Sequence, residues 1–206
     1  MMPTGFLLLL FTGVALAYSP FQTNQYMDTV LHTNLPNAGL RSNIDPAILN
    51  NFQLQRNVEY FKGNMTGLFR GRRAGDCSPI YRDRYGNATL NCTIQFGDIK
   101  FRFQGKLTEG RTTTLFSATA TMSPGYAYVE VTSRYNFNSP SMRTMHLTQN
   151  GKFSVALRGL DRASRKLIKL AKDGFIQRIS SEFFNVFQHN YVPAMGTACA
   201  RTRMPI

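Results

Sequence analysis

Carboxylates are scarce in this chain: 11 Asp and Glu stand against 24 Lys and Arg, leaving a formal charge of +13. Acid–base chemistry on paired carboxylates therefore has few candidates. The three histidines, His32, His146 and His189, are far apart, and neither an HExxH nor a GxSxG pattern occurs. Those gaps remove the sequence support for a zinc hydrolase or a serine hydrolase. Gly-rich phosphate loops are missing too; "RGRRAG" at residues 70–75 reads as a basic turn between strands. The sequence thus gives no catalytic residue, no metal site and no cofactor site, and the expectation is a protein that is not an enzyme.

Long apolar runs are equally rare. The one near the start, Phe6 to Leu16, is followed by Ala17 and preceded by a short uncharged leader. It is too short to span a bilayer and reads as a secretory signal peptide over residues 1–17. No later run approaches eighteen apolar residues, so no transmembrane segment is expected. The expected mature product is a secreted, extracellular single domain over residues 18–195 with a loose tail at 196–206. So basic a chain favours anionic partners, such as acidic lipid headgroups, lipopolysaccharide or sulfated glycans. Export makes nucleic acid the least fitting of the polyanions. Three sequons, at Asn64, Asn87 and Asn91, agree with a glycoprotein made in a eukaryotic secretory route, and because two lie close together and Cys92 sits inside the third, Asn64 or Asn87 is expected to be modified before Asn91.

Cysteine is limited to Cys77, Cys92 and Cys199. Between the first two lies "SPIYRDRYGNATLN", with turn-forming Tyr85-Gly86-Asn87 near its middle and strand-like residues on both sides. A turn centred on Arg84 and Tyr85 sets Cys77 opposite Cys92. Opposed cross-strand Cβ atoms are about 4.5–5.5 Å apart, and an oxidising compartment would close a disulfide between them. Two free thiols or half of a metal site remain the alternative. Cys199 is left free or available to a second chain.

What is abundant is pattern. "TNQYMDTVLHTNLP" sets Met27, Val30 and Leu31 on one helical face, with Pro36 expected to end the helix. An irregular, Asn-rich stretch follows. From about Val58 to Leu160 the period becomes two, with turn signals every ten to fifteen residues. Ile99, Phe101 and Phe103 alternate with polar residues, whereas upstream Ile94 and Phe96 take the even positions, so a bulge or tight turn is expected at Gly97-Asp98. Asn150-Gly151 predicts a hairpin between "MRTMHLTQ" and "KFSVALRGL". The fold class expected is α+β: a short N-terminal helix, a long, strongly curved antiparallel sheet and a long C-terminal helix that covers its apolar face.

That last helix, "DRASRKLIKLAKDGFIQRISSEFFNVFQ" at residues 161–188, would reach about 42 Å. Arg162, Arg165, Lys166, Lys169 and Lys172 share an arc of about 120°, a candidate anionic-surface stripe or simply a solvated face. In the second half Phe175, Ile176, Ile179, Phe183, Phe184, Val186 and Phe187 fill about half the circle, and the apolar face has rotated past Gly174. A kink or full enclosure of the second half would explain the rotation; enclosure is expected, because four exposed phenylalanines would aggregate.

The order of elements, with "LFRGRRAGDCSPIYRDRYGNATLNCTIQFGDIKFRF" in the meander and "GLDRASRKLIKLAKDGFIQRISSEFFNVFQHNYVPAM" at the close, resembles the arthropod takeout, juvenile-hormone-binding and group 7 mite allergen proteins, single-module members of the tubular lipid-binding superfamily. The resemblance implies a curved sheet wrapped around the C-terminal helix and a lipid-like small molecule between them. The ligand-binding residues it points to are the strand positions Phe101, Phe103, Phe153, Val155 and Leu157 and the helix positions Phe175, Ile179, Phe183 and Phe187. The same residues could instead fill a solid core.

Overall fold

A computed structural model describes residues 20–39, 43–134, 140–161 and 163–205. The expected signal peptide at 1–17 and Arg162 lie outside the described residues. Helix α1 (Pro20–Thr29) passes through a π-helical turn at Val30–Asn34 into α2 (Leu35–Gly39). Met27, Val30 and Leu31 are fully buried, as their shared face predicts. Pro36 does not end the helix. The wide turn hands the Val30 carbonyl to the Leu35 amide, and this local widening accommodates a ring and a missing N–H that a regular helix would not. The Asn-rich stretch holds two short strands, β1 (Ala47–Leu49) and β2 (Phe52–Leu54), both paired with β3 (Val58–Thr66).

The remaining strands are β4 (Arg72–Arg73), β5 (Tyr81–Arg82), β6 (Ala88–Phe96), β7 (Lys100–Glu109), β8 (Thr112–Met122), β9 (Gly125–Ser133), β10 (Ser141–Gln149) and β11 (Phe153–Arg158). They form two antiparallel ladders, β1-β3-β7-β8-β11 and β10-β9-β6-β4, with β2 and β5 alongside. The two ladders are one long ribbon bent in the middle. Ala88↔Ser133 through Phe96↔Gly125 and Lys100↔Thr121 through Glu109↔Thr112 belong to a single hairpin register. Inside the bend the Met122 amide still donates to the Ile99 carbonyl at 3.0 Å. The parity change at Gly97-Asp98 is this corner, and neither a tight turn nor a bulge.

Asn150-Gly151 is likewise no hairpin. β10 pairs with β9 and β11 with β8, so residues 141–158 run as one bent strand beside the hairpin. The dipeptide sits at the bend because of a close approach: a Cβ on Gly151 would collide with the Ser123 carbonyl oxygen. The Ser123 amide donates to the Lys152 carbonyl at 2.8 Å, and Ser123 Oγ accepts from the Lys152 amide at 2.7 Å. Hydrophobic alternation showed where the strands were; it could not show that a turn-forming dipeptide was there for clearance.

Helix α3 (Arg165–Val186) lies in the concave side of the bent sheet and continues through a second π-helical turn, Phe187–Tyr191, into α4 (Val192–Arg201). The expected loose tail is therefore corrected: residues 196–201 are helical, and Ala198, Cys199 and Met204 are buried. Apolar spacing explains it, since α4 packs its Ala194, Met195, Ala198 and Cys199 side into the core. Tyr26 Oη donates to the Cys199 carbonyl at 3.2 Å, and Asn34 Nδ2 donates to Thr202 Oγ1 at 2.7 Å, joining the two terminal helices.

Cys77 and Cys92 form a disulfide with Cα atoms 4.4 Å apart. The hairpin register is displaced by one from the expected one, with Tyr85 at the centre of the turn: Asp83 accepts from the Tyr85 and Asn87 amides, and Tyr81 faces Thr89 in place of Ala88. One extra residue between Ser78 and Tyr81 restores the predicted facing at the cysteines, where the Ser78 amide donates to the Asn91 carbonyl at 2.8 Å.

Two stability outcomes follow. Reduction of Cys77–Cys92, which closes a separation of 15 residues, should cost about 3 kcal/mol in urea unfolding. Gly151→Ala should lower stability by about 1–3 kcal/mol through overpacking, whereas Gly97→Ala, with open space at its Cβ, should change it by less than about 1 kcal/mol. Equal effects of the two glycine substitutions would contradict the close approach at the bend.

Candidate functional site

The concave side of the sheet is filled with rings. Phe175 lies flat against Tyr60 at 5.0 Å and meets Phe103 edge-on at 5.5 Å; Phe52 stacks on Tyr60 at 4.6 Å. Farther along the helix, Phe187 stacks on Tyr191 at 5.7 Å and meets Phe96 edge-on at 5.9 Å, with Phe183 next to it at 6.1 Å. Tyr60 Oη donates to the Ala171 carbonyl at 2.9 Å, tying α3 to β3 at the centre of the cluster. Burial pushes the Tyr60 phenol well above its ordinary pKa, so it stays a neutral donor.

Of the nine predicted ligand-binding residues, Phe101, Phe103, Phe175, Ile179, Phe183 and Phe187 are buried, while Phe153, Val155 and Leu157 on β11 are half-buried against the same core. The structure brings Phe103 to Phe175, Phe101 to Phe153 and Phe183 to Phe187, in each case ring against ring. Enclosure of the second half of the helix holds for three of its four phenylalanines; Phe184 is 50% exposed. Gly174 marks a close contact: α3 continues unbroken through it, and a Cβ there would collide with the Leu54 side chain. Tyr60, Phe52 and Leu54 escaped the sequence reading. Their signal was the alternation of Phe52 with Leu54 and of Val58 with Tyr60, hidden by the Asn-rich context.

A groove of about 980 Å³ opens where α3 leaves the sheet. Leu54, Leu167 and Leu170 give it an apolar part, Gly174 lets α3 approach β2, and its charged lining is mixed, Lys166 and Lys169 with Glu109 and Asp173. Arg165, Lys166, Lys169 and Lys172 are all exposed, but Arg165 and Lys172 do not line the groove. Deeper along the same flank, Arg178 pairs with buried Glu182 at 2.6 Å and lies 5.6 Å from the centre of the Phe52 ring. Of the other basic residues, Arg73 is held by Asp28 at 2.7 Å and is not a free cation.

His32, His146 and His189 are exposed on three separate elements, and among the described residues no group of three or more His, Cys, Asp or Glu could hold a metal ion. No helix of the described residues is long and apolar enough to cross a membrane. Of the sequon residues, Asn64 sits on the outer face of β3, Asn91 is mid-strand opposite Glu130, and Asn87 is in the turn with its Nδ2 donating to Asp83 at 3.1 Å.

No family model matches the chain, and no curated protein matches it in sequence. Among solved structures it is similar to Takeout 1 of Epiphyas postvittana, at 11% identity and a TM-score of 0.43, over 89% of this chain and 92% of that one.

Cys199, expected to be free or paired between chains, is enclosed, and burial raises its thiol to about 12. At pH 8 almost none of it is the nucleophilic thiolate. A thiol reagent should therefore leave the native protein unlabelled and modify one cysteine only after denaturation; native labelling at the rate of a free thiol would refute the enclosure. Tyr60→Phe should cost about 1 kcal/mol through the lost bond to Ala171, and Phe175→Ala about 3–5 kcal/mol, both read from urea unfolding.

Proposed function

We propose that the protein is a secreted, non-enzymatic binder of a lipid-like small molecule, taken up between the curved sheet and the C-terminal helix. The observation that carries this reading is the groove between β2 and α3. Its leucines Leu54 and Leu167 also pack against the core that holds Phe175, Leu170 lines it beside them, and its charged lining is Lys166 and Lys169 with Glu109 and Asp173, none of them joined in an ion pair among the described residues. An apolar cleft with a few convergent polar groups is the usual form of a small-molecule site. An acyl chain would lie on the leucines, displacing water from them, and an anionic head would meet the lysines.

The interior aromatics support the site from behind. Phe103, Tyr60 and Phe175 hold the helix at the distance that leaves the groove open, so they shape the cleft by packing. The basic stripe then has two parts: Lys166 and Lys169 belong to the groove, and Arg165 and Lys172 to the solvated face.

Titration of delipidated protein with a fluorescent fatty acid, and with its uncharged alcohol counterpart, tests this reading. Leu170→Glu should weaken both by about tenfold or more, given the ~1.5–3 kcal/mol that a buried leucine contributes. Lys166→Glu combined with Lys169→Glu should weaken the acid much more than the alcohol. Unchanged titrations in both variants, with unchanged unfolding midpoints, would refute the groove as the site.

A further inference from the structure

We propose a second surface: the outer face of the β3-β7-β8-β11 ladder docks the protein on an anionic lipid bilayer. The inference stands apart from the groove and from the helix stripe. Alternation along the strands points Lys100, Arg102 and Lys106 of β7 outward, all exposed, in a row flanked by Thr121, Thr119 and Leu115 of β8. Arg158 of β11, facing Ser117, extends the row sideways. None of these four cations forms an ion pair with the described residues. Glu59, across from Lys106, is the one carboxylate on the outward positions of these strands.

Cations alone would suit any polyanion. Two further features of the same face select a bilayer. Ile48, in line with Asn64 and Arg102, is 83% exposed, and Leu115, beside Lys106, is 69% exposed. Between Phe61 and Leu115 a cleft of about 370 Å³ opens over Gly105, with Phe116 and Arg158 at its edges. A sulfated polysaccharide would use the cations and leave the apolar side chains in water. An anionic membrane uses both, the cations at the headgroups and Ile48 and Leu115 at the acyl boundary.

The face also contains a sequon. Asn64 lies between Ile48 and Arg102 in the outward lattice, so a glycan there would hold the sheet away from lipid. Docking therefore requires Asn64 to be unmodified.

Cosedimentation of the purified protein with phosphatidylcholine vesicles, with and without one-fifth phosphatidylserine, tests the proposal. Binding should appear only with phosphatidylserine and fall as salt rises. Each cation near an anionic surface is worth roughly fivefold in partitioning, so Lys100→Glu with Arg102→Glu should reduce binding at least about twentyfold. Leu115→Ser should reduce it severalfold. Arg165→Glu with Lys172→Glu, removing the same charge from α3, should change it less than about threefold.

Fatty-acid titration of the sheet variants should match the parent protein, which separates failure of this surface from failure of the groove. Equal loss in the helix and sheet variants would show that net charge alone drives binding and would overturn the proposal. So would heparin binding without vesicle binding, no binding to phosphatidylserine vesicles, or a glycan on Asn64 of the protein as secreted from eukaryotic cells.

Discussion

The bend shared by residues 97–99, 122–124 and 150–152 sets the geometry of everything else. A flat sheet of these strands would present one apolar face that a single helix could cover only along a stripe. Folding the ribbon on itself while keeping its register lets the same face approach α3 and the following helical turns from two sides. The backbone at the corner is held by the bonds between Ser123 and Lys152 and by the absence of a side chain at Gly151. Rings then fill the concavity because they cover the most area per residue, and the Tyr60 hydroxyl finds its partner on the Ala171 carbonyl rather than remaining unsatisfied.

Much of the architecture was legible because it rests on period. Alternation in "DIKFRF" named the buried side of β7 correctly, and the Cys77–Cys92 facing followed from counting around a turn, although the register next to the turn is displaced by one and an extra residue before Tyr81 compensates. The errors occur where tertiary contact overrides a local signal. Asn150-Gly151 carries a hairpin signature, but hairpin geometry requires two strands that pair, and its neighbours pair elsewhere. Pro36 carries a stop signal, but a π-helical turn ahead of it absorbs the ring, and Pro193 follows the second such turn in the same way.

The candidate site was legible only in outline. Helical periodicity separated the exposed cationic half of α3 from the half that buries Phe175, Ile179 and Phe183, with Phe184 the exception. What periodicity could not supply was the neighbour. Leu54 approaches Gly174 across 120 positions of intervening chain, so the groove depends on a strand that a one-dimensional pattern could not place against the helix. Nor could it tell that the aromatic residues would spend their surfaces on one another, leaving the opening to leucines.

The bond from Tyr26 to the backbone at Cys199 joins residues 173 positions apart. A chain emerging from the amino end can build its strands in order, and α1 can already pack on β4 through Asp28 and Arg73, yet the buried Tyr26 hydroxyl has no acceptor until α4 exists. Closing so large a loop carries an entropic cost that only the completed core offsets. The last helix is thus a latch as much as a lining: until it is in place, the interior that the sheet encloses is open at that end, and unfolding is expected to begin with its release.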